Sequence, residues 1–346
     1  MKAVYLTEHG GIEALTYGDL PEPELGPNDV KIRVRACALN RLDVFTRAGV
    51  RGTRIRFSGP HVLGGDVAGD VVEAGTEVTR VKAGDRVVVN PRLTCGQCRF
   101  CVSGAEEFCT KPGMLGSSAN GGYAEYVKVP AVNTVALPDS LSYEQAASLP
   151  TVFLPSWTIL IRRAELKPWE TALILSGSSG VGTAAIQVAK KVVGATVITT
   201  TSTEEKVRRA REIGADEVIN YTDEDIAKRV KEITGGRGVD VVLDHVGAEF
   251  WPAAMASLAL GGRYGICGVS SGYQAELQMG RLFTKYQTVF GVFMGRKEDL
   301  QQIVDMAARG VIRGIVHDTY PLQDAARAHE TMESRDFFGK LVLTVP

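Results

Sequence analysis

Residues 30–35 alternate strictly, with Val30, Ile32 and Val34 separated by Lys31, Arg33 and Arg35. That period of two buries one face of a strand and wets the other. Residues 67–73 and 86–90 read as further strands, with Gly75, Gly84 and Asp85 at turns. The pattern predicts a compact all-β or barrel-like unit up to about residue 155. From residue 156 the rhythm changes. Residues 172–175, 196–200, 217–220 and 239–243 are short apolar strands, and residues 180–193, 203–213 and 223–233 carry helical patterns between them. Strands alternating with helices of 10–15 residues predict a parallel sheet with right-handed crossovers.

The chain has 346 residues, more than one hydrophobic core usually organises, so two domains are expected. Lys and Arg together number 39 against 40 Asp and Glu, a net charge of −1. With no basic excess to neutralise a phosphate backbone, nucleic acid is not an expected partner. The longest charge-free stretches, 145–161 and 171–189, are broken by Pro150 and Pro155 or by glycines and serines, so no membrane span is expected. The N-terminus lacks the apolar core of a signal peptide, and a cytoplasmic location is expected.

Residues 172–182 run from a buried strand through Ser176, Gly177, Ser178 and Ser179 into a helix opened by Gly180, Val181 and Gly182. A turn poor in side chains lets backbone N–H groups and a helix N-terminus approach a pyrophosphate. Ser179 stands where a strict G-x-G-x-x-G has its second glycine, so the strand–loop–helix context carries the assignment to dinucleotide binding. A site specific for NAD places Asp or Glu at the end of the second strand. Here that strand ends in Thr199, Thr200, Thr201 and Ser202, and Lys206, Arg208 and Arg209 follow. Hydroxyls and a lysine can hold a 2′-phosphate that a carboxylate would repel, so NADP(H) is the expected cofactor. The alternative is that these cations are the solvated face of a helix.

Four of the six cysteines are Cys95, Cys98, Cys101 and Cys109, in a lobe at 91–112. Four thiolates close a tetrahedral zinc shell and leave no position for water or substrate, so one structural zinc per chain is expected. An iron–sulfur cluster is the competitor; seven residues before the fourth cysteine, and no proline after it, favour zinc. Cys37 and Cys267 read as small buried hydrophobes.

Taken together, the chain resembles the medium-chain dehydrogenase/reductase superfamily, which includes zinc alcohol dehydrogenases and quinone oxidoreductases. The landmarks are Gly64-Gly65-Asp66-Val67-Ala68-Gly69, Ala83-Gly84-Asp85-Arg86-Val87, Gly121-Gly122-Tyr123-Ala124-Glu125-Tyr126, the 177–182 loop and Gly339-Lys340. The resemblance implies an α/β chain: a GroES-like β-rich catalytic domain at 1–155 and 294–346, and a Rossmann doubly wound parallel sheet at 156–293. It also implies an active site in the cleft between them, and a homodimer or homotetramer joined near residues 289–293. Lys206 and Tyr221 match positions that contact the adenosine phosphate in the family, and Lys340 matches one that contacts the pyrophosphate; Thr201 and Ser202 are cofactor candidates through their strand-end hydroxyls.

The chain also departs from its relatives. Zinc alcohol dehydrogenases hold a catalytic zinc with a Cys, a His-Glu pair and a second Cys; the matching positions here are Asn40, Gly65-Asp66 and Thr151. These do not make a soft-ligand site with an open position, so no catalytic zinc is expected. His61, a loop residue after Pro60, is expected to be structural or at the surface. Asn40 and Asp43 instead match an Asn…Asp arrangement of quinone oxidoreductases that faces the nicotinamide, and are the catalytic candidates; the alternative for Asp43 is a helix N-terminal residue in the segment after Leu42. Phe153-Leu154-Pro155 replaces a Gly-x-Thr of relatives and should make the pocket tighter and more apolar. The expected activity is hydride transfer from NADPH to quinones, enones or cyclic ketones, with the Asn40 amide among the donors to the developing oxyanion. Two alternatives are an alcohol dehydrogenase-like enzyme acting on a bulky ketone/alcohol pair, and an NADPH-binding protein with a vestigial site.

Overall fold

A computed structural model describes all 346 residues. The chain forms two compact units, Met1–Thr151 with Arg296–Pro346, and Val152–Gly295. The second unit starts a few residues before the change of sequence rhythm at 156, because the helix Pro150–Trp157 runs through it. No helix is long and apolar enough to cross a membrane.

The first unit is built around strand Asp29–Ala38, whose Val30, Ile32 and Val34 are fully buried while Arg33 points out. The expected alternation is therefore present, and the strand extends to both sides of residues 30–35. It pairs antiparallel with Asp66–Ala74, Tyr126–Pro130 and the last strand, Lys340–Thr344. Its final residue, Ala38, lies opposite Asp66 on one side and opposite Val342 on the other. The C-terminal strand is thus sewn into the N-terminal sheet, and its first residue, Lys340, reaches the end of strand 29–38 where Asn40 begins the helix Arg41–Ala48. Val67, Val71, Val87, Val89, Leu341 and Leu343 close the core beneath.

The second unit holds a six-stranded sheet in the order Glu217–Asn220, Thr196–Thr201, Thr171–Ile174, Val239–Asp244, Leu258–Ile266, Thr288–Gly291, parallel at every pairing. In chain order this is 3-2-1-4-5-6, the doubly wound dinucleotide-binding topology. Leu173, Ile198, Ile219, Val242 and Tyr264 form its core. The helices start where short polar side chains accept first-turn N–H groups: Ser179 from Gly182, Thr203 from Lys206, Asp225 from Lys228. The segment expected as one helix over 180–193 is α-helical at Gly180–Gln187 and continues as a wider π-type turn, Val188–Val193, ending at Gly194.

Candidate active site

Asn40, Asp43 and Lys340 come together in the first unit, joined by Asp66 and Thr151. Asp66 is fully buried, and four donors converge on its carboxylate. Oδ1 accepts the Thr151 hydroxyl at 2.6 Å and the Thr151 N–H at 3.1 Å. Oδ2 accepts the Asn40 Nδ2 at 2.9 Å and the Lys340 ammonium at 3.1 Å. Lys340 also donates to Asn40 Oδ1 and to the Leu39 carbonyl, both at 2.6 Å. An ammonium has three N–H donors and no acceptor. All three are matched inside this cluster, so no N–H remains for the pyrophosphate contact expected of Lys340.

Asp43 is also buried, and both of its oxygens face backbone: one takes the Asn40 N–H at 2.7 Å, the other the Gly64 N–H at 3.2 Å. Gly64 has φ +94°, and a Cβ there would lie 2.4 Å from the Tyr123 ring and 2.6 Å from the Cys37 sulfur, so only glycine brings that N–H to Asp43. Burial pushes the Asp43 carboxyl up to about 7; the Asn40 N–H and Lys340 pull against it. Asp43 anchors the start of the helix that presents Asn40 rather than facing open space.

Of the positions that match the catalytic-zinc ligands of the family, Asn40, Asp66 and Thr151 therefore do meet, around the Asp66 carboxylate that also holds Lys340, while Gly65 has no side chain to offer. An amide, a hydroxyl and a carboxylate already filled by four donors, with no Cys or His among them, do not fit a zinc Lewis acid, whose three protein ligands are drawn from His, Cys and a free carboxylate beside an open position. His61 offers no replacement: it lies in the two-residue strand His61–Val62, and its Nε2 sits 3.3 Å from the Gly116 carbonyl.

The four-cysteine lobe does fit its metal. The sulfurs of Cys95, Cys98, Cys101 and Cys109 all lie within 4.8 Å of one another, with Cys98–Cys101 at 3.5 Å and Cys95–Cys101 at 3.9 Å. A tetrahedron with Zn–S near 2.3 Å has edges of about 3.8 Å. Backbone N–H groups of Cys95 and Lys111 point at Cys109 Sγ, and that of Cys98 at Cys95 Sγ. Backbone N–H groups pull the Cys98 thiol down to about 5, whereas burial and neighbouring sulfurs push Cys101 up to about 12. All four can be thiolates together only with a cation among them. The lobe is tied to the returning chain by Glu107, which holds Arg296 at 2.6 Å, and by Glu106, which accepts the Lys297 N–H at 2.9 Å.

In the second unit the 177–182 loop is built for close approach. A Cβ on Gly182 would lie 2.1 Å from the Ser176 carbonyl oxygen, so the helix can start this tightly only without a side chain. Ser178, Gly180 and Val181 are half-buried around it. Ser179 caps the helix through the Gly182 N–H at 2.9 Å. Its hydroxyl also meets His245 Nε2 at 2.9 Å, and that nitrogen lies 3.0 Å from the Leu175 carbonyl. Sequence reasoning misses His245. Its one signal is a lone polar residue just past the strand Val239–Asp244, which pairs with the strand leading into the loop. At the end of the second strand the Thr201 hydroxyl is buried with no hydrogen-bond partner. An orphaned hydroxyl at the place where a ribose or its phosphate docks in this topology fits a nucleotide. Tyr221 donates its N–H to Thr201 O at 3.0 Å, and its ring packs on Phe250 at 4.9 Å. Ser202 is half-buried beside them, and Lys206 sits in the first turn of the next helix. Arg208 and Arg209 pair with Glu212 and Glu205 along that helix. Phe153 is only 1% exposed, so its ring does not form an open pocket wall.

Comparison with known proteins agrees with this geometry. Residues 26–139 match the alcohol dehydrogenase GroES-like domain, and residues 180–309 match the zinc-binding dehydrogenase domain. The chain is 32% identical over 349 residues to an NAD-dependent alcohol dehydrogenase of Sulfolobus acidocaldarius, with 100% of each covered. It is 34% identical over 351 residues to a quinone oxidoreductase of Pseudomonas aeruginosa, with 99% of each covered. A crystal structure of an NAD-dependent alcohol dehydrogenase superposes with a TM-score of 0.95 at 41% identity, covering 100% of both chains. The chain belongs to the medium-chain dehydrogenase/reductase superfamily and is an oxidoreductase of that family, with a Rossmann unit and a GroES-like unit.

Proposed function

We propose that the protein is an NADP(H)-dependent reductase that delivers hydride to quinones, enones or activated cyclic ketones without a catalytic zinc. The observation that carries this reading is the Asn40–Asp66–Lys340 cluster, where zinc-dependent relatives need soft metal ligands. The nicotinamide, when bound, supplies the hydride. Asn40 offers an N–H to the acceptor oxygen on which negative charge accumulates as hydride reaches the conjugated carbon, and water supplies the proton. Unactivated alcohols should turn over poorly, because removing their proton to form an alkoxide goes unassisted by a metal.

The orphaned Thr201 hydroxyl, Ser202 and Lys206, with no carboxylate at the strand end, support NADP(H) over NAD(H). Ser178 to Gly182 would face the pyrophosphate, and Tyr221 the adenosine side. A second reading, reversible action on a bulky ketone/alcohol pair, is favoured by the full-length similarity to an alcohol dehydrogenase.

A homodimer or homotetramer is part of the proposal. The strand Thr288–Gly291 is the outer edge of the sheet, and Phe283, Tyr286 and Phe293 around it are all more than half exposed.

The direct test is Asn40→Ala assayed with NADPH against quinones, enones, cyclic ketones and simple aldehydes. Turnover of conjugated acceptors should fall on the order of tenfold or more while NADPH binding persists. Unchanged turnover removes Asn40 from the mechanism, and tight NADPH binding by wild type with no turnover of any acceptor supports a vestigial site instead.

A further inference from the structure

We propose that Lys340 is the positioning residue of this active site: its ammonium locks the Asn40 amide so that Nδ2, and not Oδ1, is presented to the acceptor oxygen. The inference rests on the reading of Asn40 given above and deepens it.

An asparagine amide has two orientations, and which one a site holds is decided by its neighbours. Here two neighbours decide it independently. Lys340 Nζ, a pure donor, lies 2.6 Å from one terminal atom of Asn40, which must then be the carbonyl oxygen. Asp66 Oδ2, an acceptor, lies 2.9 Å from the other, which must then be the nitrogen. A flipped amide would set NH₂ against an ammonium and oxygen against a carboxylate. Both contacts would be repulsive, in a buried place where Lys340 is 3% exposed and Asp66 not at all.

One Nδ2 hydrogen is spent on Asp66. The other has only the Ala38 carbonyl at 3.5 Å, at the limit of a hydrogen bond, and is the one left for a substrate oxygen. The positive charge on Oδ1 also polarises the amide toward a stronger N–H donor. Lys340 itself has no N–H to spare, so it acts through Asn40 and touches neither cofactor nor substrate. The arrangement depends on the sheet: Ala38 faces Asp66 on one side and Val342 on the other, which sets Lys340 and Asp66 against the same amide.

The test compares wild type, the charge-neutral double variant Lys340→Met/Asp66→Asn, and Lys340→Arg. Each is checked for folding by its melting curve and for NADPH affinity by fluorescence. Amide orientation is read from the Asn40 side-chain ¹⁵N–¹H pair, assigned by its loss in Asn40→Ala. In the double variant the Asn40 proton that is bonded to the Asp66 carboxylate should shift toward the position of a free amide, while the two protons stay distinct because rotation about the amide C–N bond is slow. Turnover of a quinone should fall about tenfold with the NADPH Kd changed less than about twofold. Lys340→Arg, which keeps charge and donors, should recover part of both. Unchanged Asn40 signals in the folded double variant overturn the proposal; if the double variant does not fold, loss of turnover in Lys340→Arg with unchanged Asn40 signals overturns it instead. So does a tenfold rise in NADPH Kd at unchanged turnover, which would make Lys340 a phosphate contact. If the signals change but turnover does not, the proposal fails too, and Asn40→Ala says where: a loss there faults Lys340, no loss faults the reading of Asn40.

Discussion

Lys340 and Asp66, 274 residues apart in the chain, form an ion pair of 3.1 Å with side-chain exposures of 4% and 0%. Removing one member of such a pair leaves an uncompensated buried charge, which typically costs about 3–5 kcal/mol. Asp66→Asn should therefore lower unfolding free energy by about that amount in urea denaturation, whereas the double neutral variant should recover part of the loss. Equal losses in the single and double variants would show that the pair is not what stabilises this part of the sheet.

Asp43 gives a pH signature with a defined sign. Its carboxyl is held at about 7 in the folded chain, mainly by burial, against an ordinary value near 3.9. Between those values the folded state keeps a proton that the unfolded state releases. Its contribution to stability is fully present below about pH 4 and is lost as pH rises through about 7. Asp43→Asn removes this titration. Relative to the variant, wild type should lose on the order of a few kcal/mol between pH 4 and pH 7. Parallel stability curves over that window would contradict the assignment.

In the cysteine lobe, Cys98→Ser should reduce bound zinc from one per chain to none and lower the melting temperature. Glu106 and Glu107 lie between the ligands Cys101 and Cys109 and hold Lys297 and Arg296. Loss of metal should therefore also speed amide exchange at the start of the helix Lys297–Ala308. Surviving folded protein should still transfer hydride. Exchange confined to residues 95–109 would show that these two glutamates do not transmit the loss.

Cofactor preference is read most simply at Lys206. A charge-assisted contact to the 2′-phosphate is worth about 1.5–3 kcal/mol. Lys206→Ala should thus raise KM for NADPH about tenfold or more and change that for NADH less than about twofold. Equal effects on both would place Lys206 on the solvated face of its helix.

Much of this architecture is legible in the sequence for physical reasons. The central Rossmann strands are buried on both faces and so appear as short apolar runs, and Thr203 announces its helix with a capping side chain. Metal chemistry shows itself in the cysteines because their spacing is local. Asn40 and Asp43 also stand out, but their surroundings do not. Lys340 is 300 residues from Asn40, and only the pairing of the last strand with strand Asp29–Ala38 joins them. Sequence pattern fixes which residues of a strand face inward but not which strand lies beside it, so Lys340 reads as a phosphate contact. His245 is hidden for the same reason: its partner Ser179 lies across a parallel pairing.

Hydride transfer at a site with no catalytic zinc is checked most directly by counting zinc. Zinc per chain would be measured by elemental analysis on the same sample assayed for NADPH oxidation by a quinone, before and after exposure to a chelator. One zinc per chain, with turnover retained after brief chelation that leaves the four-cysteine site loaded, is the expected result. Two zinc ions per chain, with turnover lost in step with removal of one of them, would contradict it.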